Sequence, residues 1–155
     1  MKVFTLNKLS QAFYKAYPNN DFPEIEQKTE RPYVVLLLKI GDCRFALPLR
    51  TNIRHNYCYK FSNTGRETLS VTGIDFTKAV VIDKSEYIGE ETNIDDKEYL
   101  ELSKKYYFIV KKFKNYLNGY IDFIKNGGNE FIAKKYRFCT LKYFHKQLDV
   151  TIKTE

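Results

Sequence analysis

The stretch Pro48-Leu49-Arg50-Thr51-Asn52-Ile53-Arg54-His55-Asn56-Tyr57-Cys58-Tyr59-Lys60-Phe61 gathers nearly every side chain used in phosphate chemistry except a carboxylate. Metal-free RNA cleavage needs a group to take the 2′-hydroxyl proton, donors for charge on the phosphorane, and protonation of the leaving 5′-oxygen. His55 can serve as acid or base near neutral pH, and Arg50 and Arg54 can fork onto phosphate oxygens. Thr51 and Asn52 can orient the scissile phosphate. The products would be a 2′,3′-cyclic phosphate and a 5′-hydroxyl. Two-metal nucleases hold their ions with several carboxylates, and residues 31–66 contain only Asp42, so no metal and no cofactor is expected. The plainer alternative is that these groups grip phosphates without chemistry.

Charge is divided along the chain. Residues 1–30 are net 0, residues 31–66 net +6, residues 67–98 net −6 and residues 99–155 net +7, giving the overall +7. With 13 Tyr and 12 Phe but no Trp, this balance points to a polyanion partner, because basic side chains meet phosphates while aromatic faces stack on bases. Tyr33, Tyr57, Tyr59 and Lys60 are the candidates nearest the loop, although core packing is the plainer role for most aromatics. Lys104, Lys105, Lys111 and Lys112 repeat after one heptad and can form a ladder for an RNA backbone, or simply a solvated face. Lys134 and Lys135 extend the same half. The acidic block reads as a solvated loop and helix start, with Asp95 and Asp96 facing the positive end of a helix dipole.

Several classes are disfavoured. No Gly-x-Ser-x-Gly elbow or Gly-rich phosphate loop occurs, and no helix-turn-helix stands out for a DNA-binding regulator. Cys43, Cys58 and Cys139 lack a Cys-x-x-Cys spacing and read as buried or incidental thiols. His145 reads as structural. No apolar run approaches the roughly 18 residues of a membrane span, and the start lacks a leader's apolar core, so the expected location is cytoplasmic.

These residues need elements to position them. With 155 residues, one domain over 1–155 is expected. A strand over 2–6 precedes a short helix capped by Asn7 and stopped by Pro18. Tyr33 to Ile40, Gly41-Asp42 and Cys43 to Leu49 read as a hairpin, whose second arm leaves the sheet at Pro48. A long polar connection runs from Arg50 to Gly65, and strands follow at 68–72 and 78–83. From Asp95 the apolar period becomes that of an amphipathic helix, about 40 Å long, which Gly119 can bend and Asn126-Gly127 ends. Short helices are expected at 130–136 and 141–148, the latter capped by Thr140. Strands first and helices later favour an α+β fold, with a small twisted antiparallel sheet or partly open barrel covered by helices.

The hairpin, its Ala46-Leu47-Pro48-Leu49 exit and the following Arg50-Thr51-Asn52 resemble the toxins of type III toxin-antitoxin systems, the ToxN/AbiQ/CptN endoribonuclease family, and the CptN branch most closely. The resemblance implies a partly open barrel like that of the MazF/Kid toxins and a metal-independent endoribonuclease involved in phage defence or genome maintenance. It further implies a toxin that processes its precursor antitoxin RNA and cuts cellular RNA. A repeat-derived RNA pseudoknot would neutralise it in a closed protein-RNA assembly. Family relatives carry a Thr-Ser pair and a nearby lysine after the Pro-Leu exit. Here Thr51 matches, Asn52 follows it, and Ile53-Arg54 stand where the lysine is expected. Arg31 falls near another basic family position and is an RNA-contacting candidate. A non-catalytic module for structured RNA is the alternative.

Overall fold

The computed structural model describes residues 4–25, 33–66, 71–127 and 134–149. Its centre is the expected hairpin. Strand β1 (Thr5–Leu9) is followed by helix α1 (Gln11–Ala16), and then β2 (Val34–Ile40) and β3 (Cys43–Thr51) run antiparallel in the register Ile40 to Cys43 through Val35 to Pro48. Gly41, at φ 60°, supplies the left-handed residue that a two-residue turn requires. The remaining strands are β4 (Cys58–Lys60), β5 (Thr72–Asp75), β6 (Val80–Val81) and β7 (Ile88–Glu91). The order is β4-β5-β3-β2-β1-β7 with β6 also on β3, and every pairing is antiparallel. Among the described residues the fold is therefore α+β: a seven-stranded open antiparallel sheet with one long helix, α2 (Asp96–Lys125).

Pro48 does not end the second arm, as expected from sequence, but sits inside β3 opposite Val35. The reason lies on the other edge of the strand. Arg44 O accepts from Ile82 N and Asn52 N donates to Val71 O, so the even-numbered residues of β3 face away from β2. Along that edge β6 pairs with Phe45 and Ala46, while β5 pairs with Leu49 to Thr51. The N–H that proline lacks falls in the gap between the two partners, where no ladder bond is lost.

Other expectations shift by a few residues. The first strand continues to Leu9, and Asn7 pairs within the sheet opposite Leu-rich β2 instead of capping a helix; its Nδ2 donates to Gly89 O. Ser10 is the cap of α1, its hydroxyl accepting from Phe13 N and donating to Glu86 O. Thr140 caps nothing: it opens a 3-10 turn (Thr140–Tyr143), and its buried hydroxyl bonds to Thr77 O and Ala79 O. Of the helix expected at 130–136, residues 130–133 lie outside the described residues, and Lys134–Tyr136 form a second 3-10 turn.

Helix α2 begins as the sequence implies. Asp95 accepts from the N–H groups of Lys97 and Glu98, and the backbone N–H of Gly65 adds a third bond. These donors, Gly65 foremost, hold its carboxyl below the usual Asp range. The apolar stripe Leu102, Tyr106, Ile109, Phe113, Leu117 and Tyr120 is buried in the core. Phe113 meets Phe45 and Phe76 at ring centroids 5.2 and 5.6 Å apart. Burying a ring of this size stabilises by about 1.5–3 kcal/mol. No helix of the described residues is long and apolar enough to cross a membrane. Cys58 and Cys139 are buried and Cys43 half-buried, all as free thiols, and burial pushes the Cys139 thiol up to about 11.

Candidate functional site

The carboxylate missing from residues 31–66 arrives from the acidic block. Strand β5 ends at Asp75, which is fully buried, and four donors of the described residues converge on it. Arg50 Nη1 lies 2.7 Å from Oδ2. On Oδ1 meet Thr77 N at 2.9 Å, Thr77 Oγ1 at 2.6 Å and His55 Nε2 at 3.2 Å. Three of these donors crowd Oδ1 and Arg50 holds Oδ2, so protein donors engage both oxygens of the carboxylate. Among the described residues no three His, Cys, Asp or Glu side chains converge as metal ligands.

Backbone geometry explains the convergence. Strand β5 pairs Gly73 with Arg50 on one side and with Lys60 on the other, which sets Cys58 opposite Asp75. A Cβ on Gly73 would overlap Tyr59 O, so only glycine lets β4 approach this closely. At the end of β3, Asn52 adopts φ 57°, a left-handed conformation that asparagine tolerates better than most residues. That turn buries Ile53 and returns the chain so that His55 lies over Asp75.

The tautomer of His55 follows from its two bonds. Nδ1 accepts from the backbone N–H of Tyr57 at 3.0 Å, so the ring proton sits on Nε2 and is donated to Asp75. Both nitrogens are engaged, and His55 can act on a substrate only by releasing the Tyr57 N–H. Its ring stacks on Tyr57 at 5.7 Å. Arg50 Cζ lies 5.8 Å from the centre of the Tyr33 ring. The side chains of Arg50 and His55 are 24% and 32% exposed, so a ligand can reach both while Asp75 stays dry.

Of the other residues singled out, Thr51, Asn52 and Arg54 are exposed, and no described contact joins their side chains to this cluster. Arg31 lies outside the described residues. The two basic segments meet here: Lys112 Nζ donates to Cys58 O at 2.8 Å, and Lys135 Nζ lies 5.6 Å from the Tyr57 ring centre. Gly119 makes room for that approach, since a Cβ there would meet Tyr136 Oη at 2.5 Å. Lys60, Lys104, Lys105, Lys111 and Lys134 are exposed. Tyr59 is buried instead, and its hydroxyl donates to Glu101 Oε2 at 2.6 Å.

The acidic block is not simply the solvated segment that its sequence suggests. Glu98 of that block is buried, and with Asp95 and the buried Glu101 just beyond the block it holds residues 59–66 against the start of α2. Glu98 Oε2 accepts from Thr64 Oγ1 and Arg66 Nε at 2.7 and 2.9 Å. Glu101 accepts from Tyr59 Oη and from the N–H groups of Ser62 and Asn63. Burial alone would raise the Glu101 carboxyl, but these donors outweigh it and hold it below the usual range. Burial, together with the bond to Glu101, pushes the Tyr59 hydroxyl up.

Of two hollows, the first is lined by Arg50 of the cluster and the second lies along the start of α2. The first, of about 30 Å³, is lined by Phe13, Tyr14, Tyr33, Pro48 and Arg50 and has room for roughly one water. The second is an open groove of about 430 Å³ between Tyr59, Ser62, Asn63 and the α2 residues Lys97, Leu100, Lys104 and Lys105. Sequence reasoning missed Asp75, Thr77, Glu98 and Glu101. The only local signal at Asp75 is the Asp-x-Thr turn pattern, which marks a cap and not a partner for Arg50. No family model matches the chain, and neither does any curated protein or solved structure.

Proposed function

We propose that this protein is an RNA-cleaving enzyme whose reaction runs through 2′-hydroxyl attack without a metal ion. The observation that carries the reading is the buried carboxylate of Asp75 joining Arg50 to His55, with Thr51 and Arg54 exposed on the same stretch of chain. His55 Nδ1 gives up the Tyr57 N–H and takes the 2′-hydroxyl proton, and Asp75, already bonded to Nε2–H, stabilises the imidazolium so formed. The 2′-oxygen bonds to phosphorus. The 5′-oxygen departs with a proton from solvent, and the products are a 2′,3′-cyclic phosphate and a 5′-hydroxyl. Arg50 and Arg54 neutralise the phosphorane, and Thr51 orients it.

The meeting of two basic segments around Tyr57 and Cys58 supports RNA as the substrate and a small structured RNA as the neutralising partner. In this reading the chain is a type III antitoxin-controlled toxin of the ToxN/AbiQ/CptN kind. Its open sheet would be a variant of the MazF/Kid barrel, acting in the cytoplasm within a closed protein-RNA assembly. The alternative, a non-catalytic module for structured RNA, uses the same arginines and aromatic rings only to grip.

Variants separate the two. His55→Ala and Thr51→Ala are expected to lower cleavage of mixed RNA by at least about 100-fold, in line with the usual worth of acid-base groups, while RNA binding in a filter assay changes little. Unchanged cleavage in both variants overturns the catalytic assignment.

A further inference from the structure

Phe108 and Tyr107 stand on the outer surface of α2, 56% and 74% exposed, and the described core does not cover them. On a helix, the side chains three and four positions away are a residue's surface neighbours. For Phe108 all four are lysines: Lys104 and Lys105 before it, Lys111 and Lys112 after it. The helix holds no Asp or Glu between Leu102 and Ile121, so nothing acidic on that stretch of α2 offsets this quartet. The ring is not wholly adrift. Its centre lies 6.2 Å from that of Tyr59, at the wall of the groove that Lys104 and Lys105 also line. On the other side Lys112 reaches Cys58 O, the register partner of Asp75.

We infer that this face of α2 is a docking site for single-stranded RNA separate from the reacting atoms. An unpaired base stacks on Phe108, and the lysine pairs one turn to either side, about 10 Å apart along the axis, hold the flanking phosphates. The inference rests on the RNA reading above and adds where the strand enters: along α2, past Phe108 and Lys112, toward Arg50 and His55. Charge decides the occupant. A second copy of the chain, packed about a two-fold axis on this patch, would set four lysines against four. A polyanion meets the same charges favourably, and the exposed ring offers the π-face that every base can use.

The test exploits the absence of tryptophan from the chain. Phe108→Trp places one fluorophore at the proposed stacking position. The probe is a 2′-O-methylated oligouridylate of about 12 nucleotides, which lacks the attacking hydroxyl and so survives, carrying fluorescein for anisotropy. The expected result is quenching of the introduced indole's emission that saturates at the concentration where anisotropy does. Phe108→Ala should bind roughly tenfold more weakly with its salt dependence unchanged. Lys104→Ala with Lys111→Ala should lower the slope of log K against log salt by about 1.4. Thermal melting of each variant checks that the fold persists.

Binding by the wild type with no quenching in Phe108→Trp and no loss in Phe108→Ala overturns the docking site and leaves the RNA reading standing. Failure of the wild type to bind or cut any RNA overturns both. Quenching by phosphatidylserine vesicles but not by the oligonucleotide also overturns the inference, in favour of an anionic membrane surface.

Discussion

Replacing Asp75 by Asn changes one oxygen to NH2 in a site that receives only donors. If the remaining oxygen faces Thr77 and His55, the new amide confronts Arg50 Nη1 across 2.7 Å, donor against donor. If it flips, it confronts three donors on the other side. The first orientation costs least: it loses one charge-assisted bond, worth about 1.5–3 kcal/mol, and takes the Asp75 charge away from a partly buried guanidinium. Breaking a buried pair by removing one partner costs about 3–5 kcal/mol, and the 24% exposure of Arg50 places the expectation at the lower end, about 3 kcal/mol. For a chain of this size that lowers the melting temperature by roughly 6–12 °C. Urea unfolding of wild type, Asp75→Asn, Arg50→Ala and the double variant is the assay, because the cycle isolates the pair. A coupling of about 1.5–3 kcal/mol is expected between the two positions. Asp75→Asn within about 0.5 kcal/mol of wild type, the range of ordinary surface changes, would refute the convergence of donors on this carboxylate.

Three further outcomes follow from other parts of the structure. Gly73→Ala puts a Cβ against Tyr59 O, so hydrogen exchange at the Phe61 amide, which donates to Thr72 O, should accelerate at least about tenfold; unchanged protection would mean that β4 does not need this approach. Glu101 has its carboxyl held below the ordinary value of 4.5, so its contribution is present above that pH and is lost as pH falls through the lower folded value. Proteolytic nicking within 59–66 should therefore rise in acid, and in Glu101→Gln should be high already at neutral pH; a variant as resistant as wild type contradicts the clamp. His145 has its pKa lowered by burial, and its Nε2 meets Tyr120 Oη at 2.6 Å. A depressed histidine contributes fully above 6.5 and loses that contribution as pH falls, so His145→Gln should flatten the stability profile between about pH 7 and 5. An equally steep profile in the variant would assign the slope to other groups.

The elements with long, unbroken patterns were legible in the sequence. The β2–β3 hairpin announced itself by an apolar run around Gly41-Asp42, and α2 by its three-and-four spacing from Asp95 to Asn126. Strand β4 was not legible because three residues carry no period, and it lies inside a polar connection. Strand β7 reads Ile-Gly-Glu-Glu, with one apolar side chain in four. Pro48 misled because a proline's cost depends on which edge its missing N–H faces, and that edge is set by two strands that come later in the chain. The candidate site divides the same way. Arg50, Thr51, Arg54 and His55 are near neighbours in sequence and could be grouped by type. Asp75 could not, because its place beside Arg50 is fixed by the pairing of β5 with β3 across 25 positions. The aromatic richness likewise had two outcomes: Phe13, Phe45, Phe76 and Phe113 went to the core, while Tyr107 and Phe108 did not.

Incubating RNA-free protein with mixed cellular RNA in excess EDTA, then mapping the cut sites and the chemistry of the ends, tests the central claim most directly. Reproducible internal cuts are expected, with 2′,3′-cyclic phosphates upstream and 5′-hydroxyls downstream, abolished by His55→Ala. RNA recovered intact from a stable complex, or cuts that appear only when a divalent metal is restored, would contradict the claim.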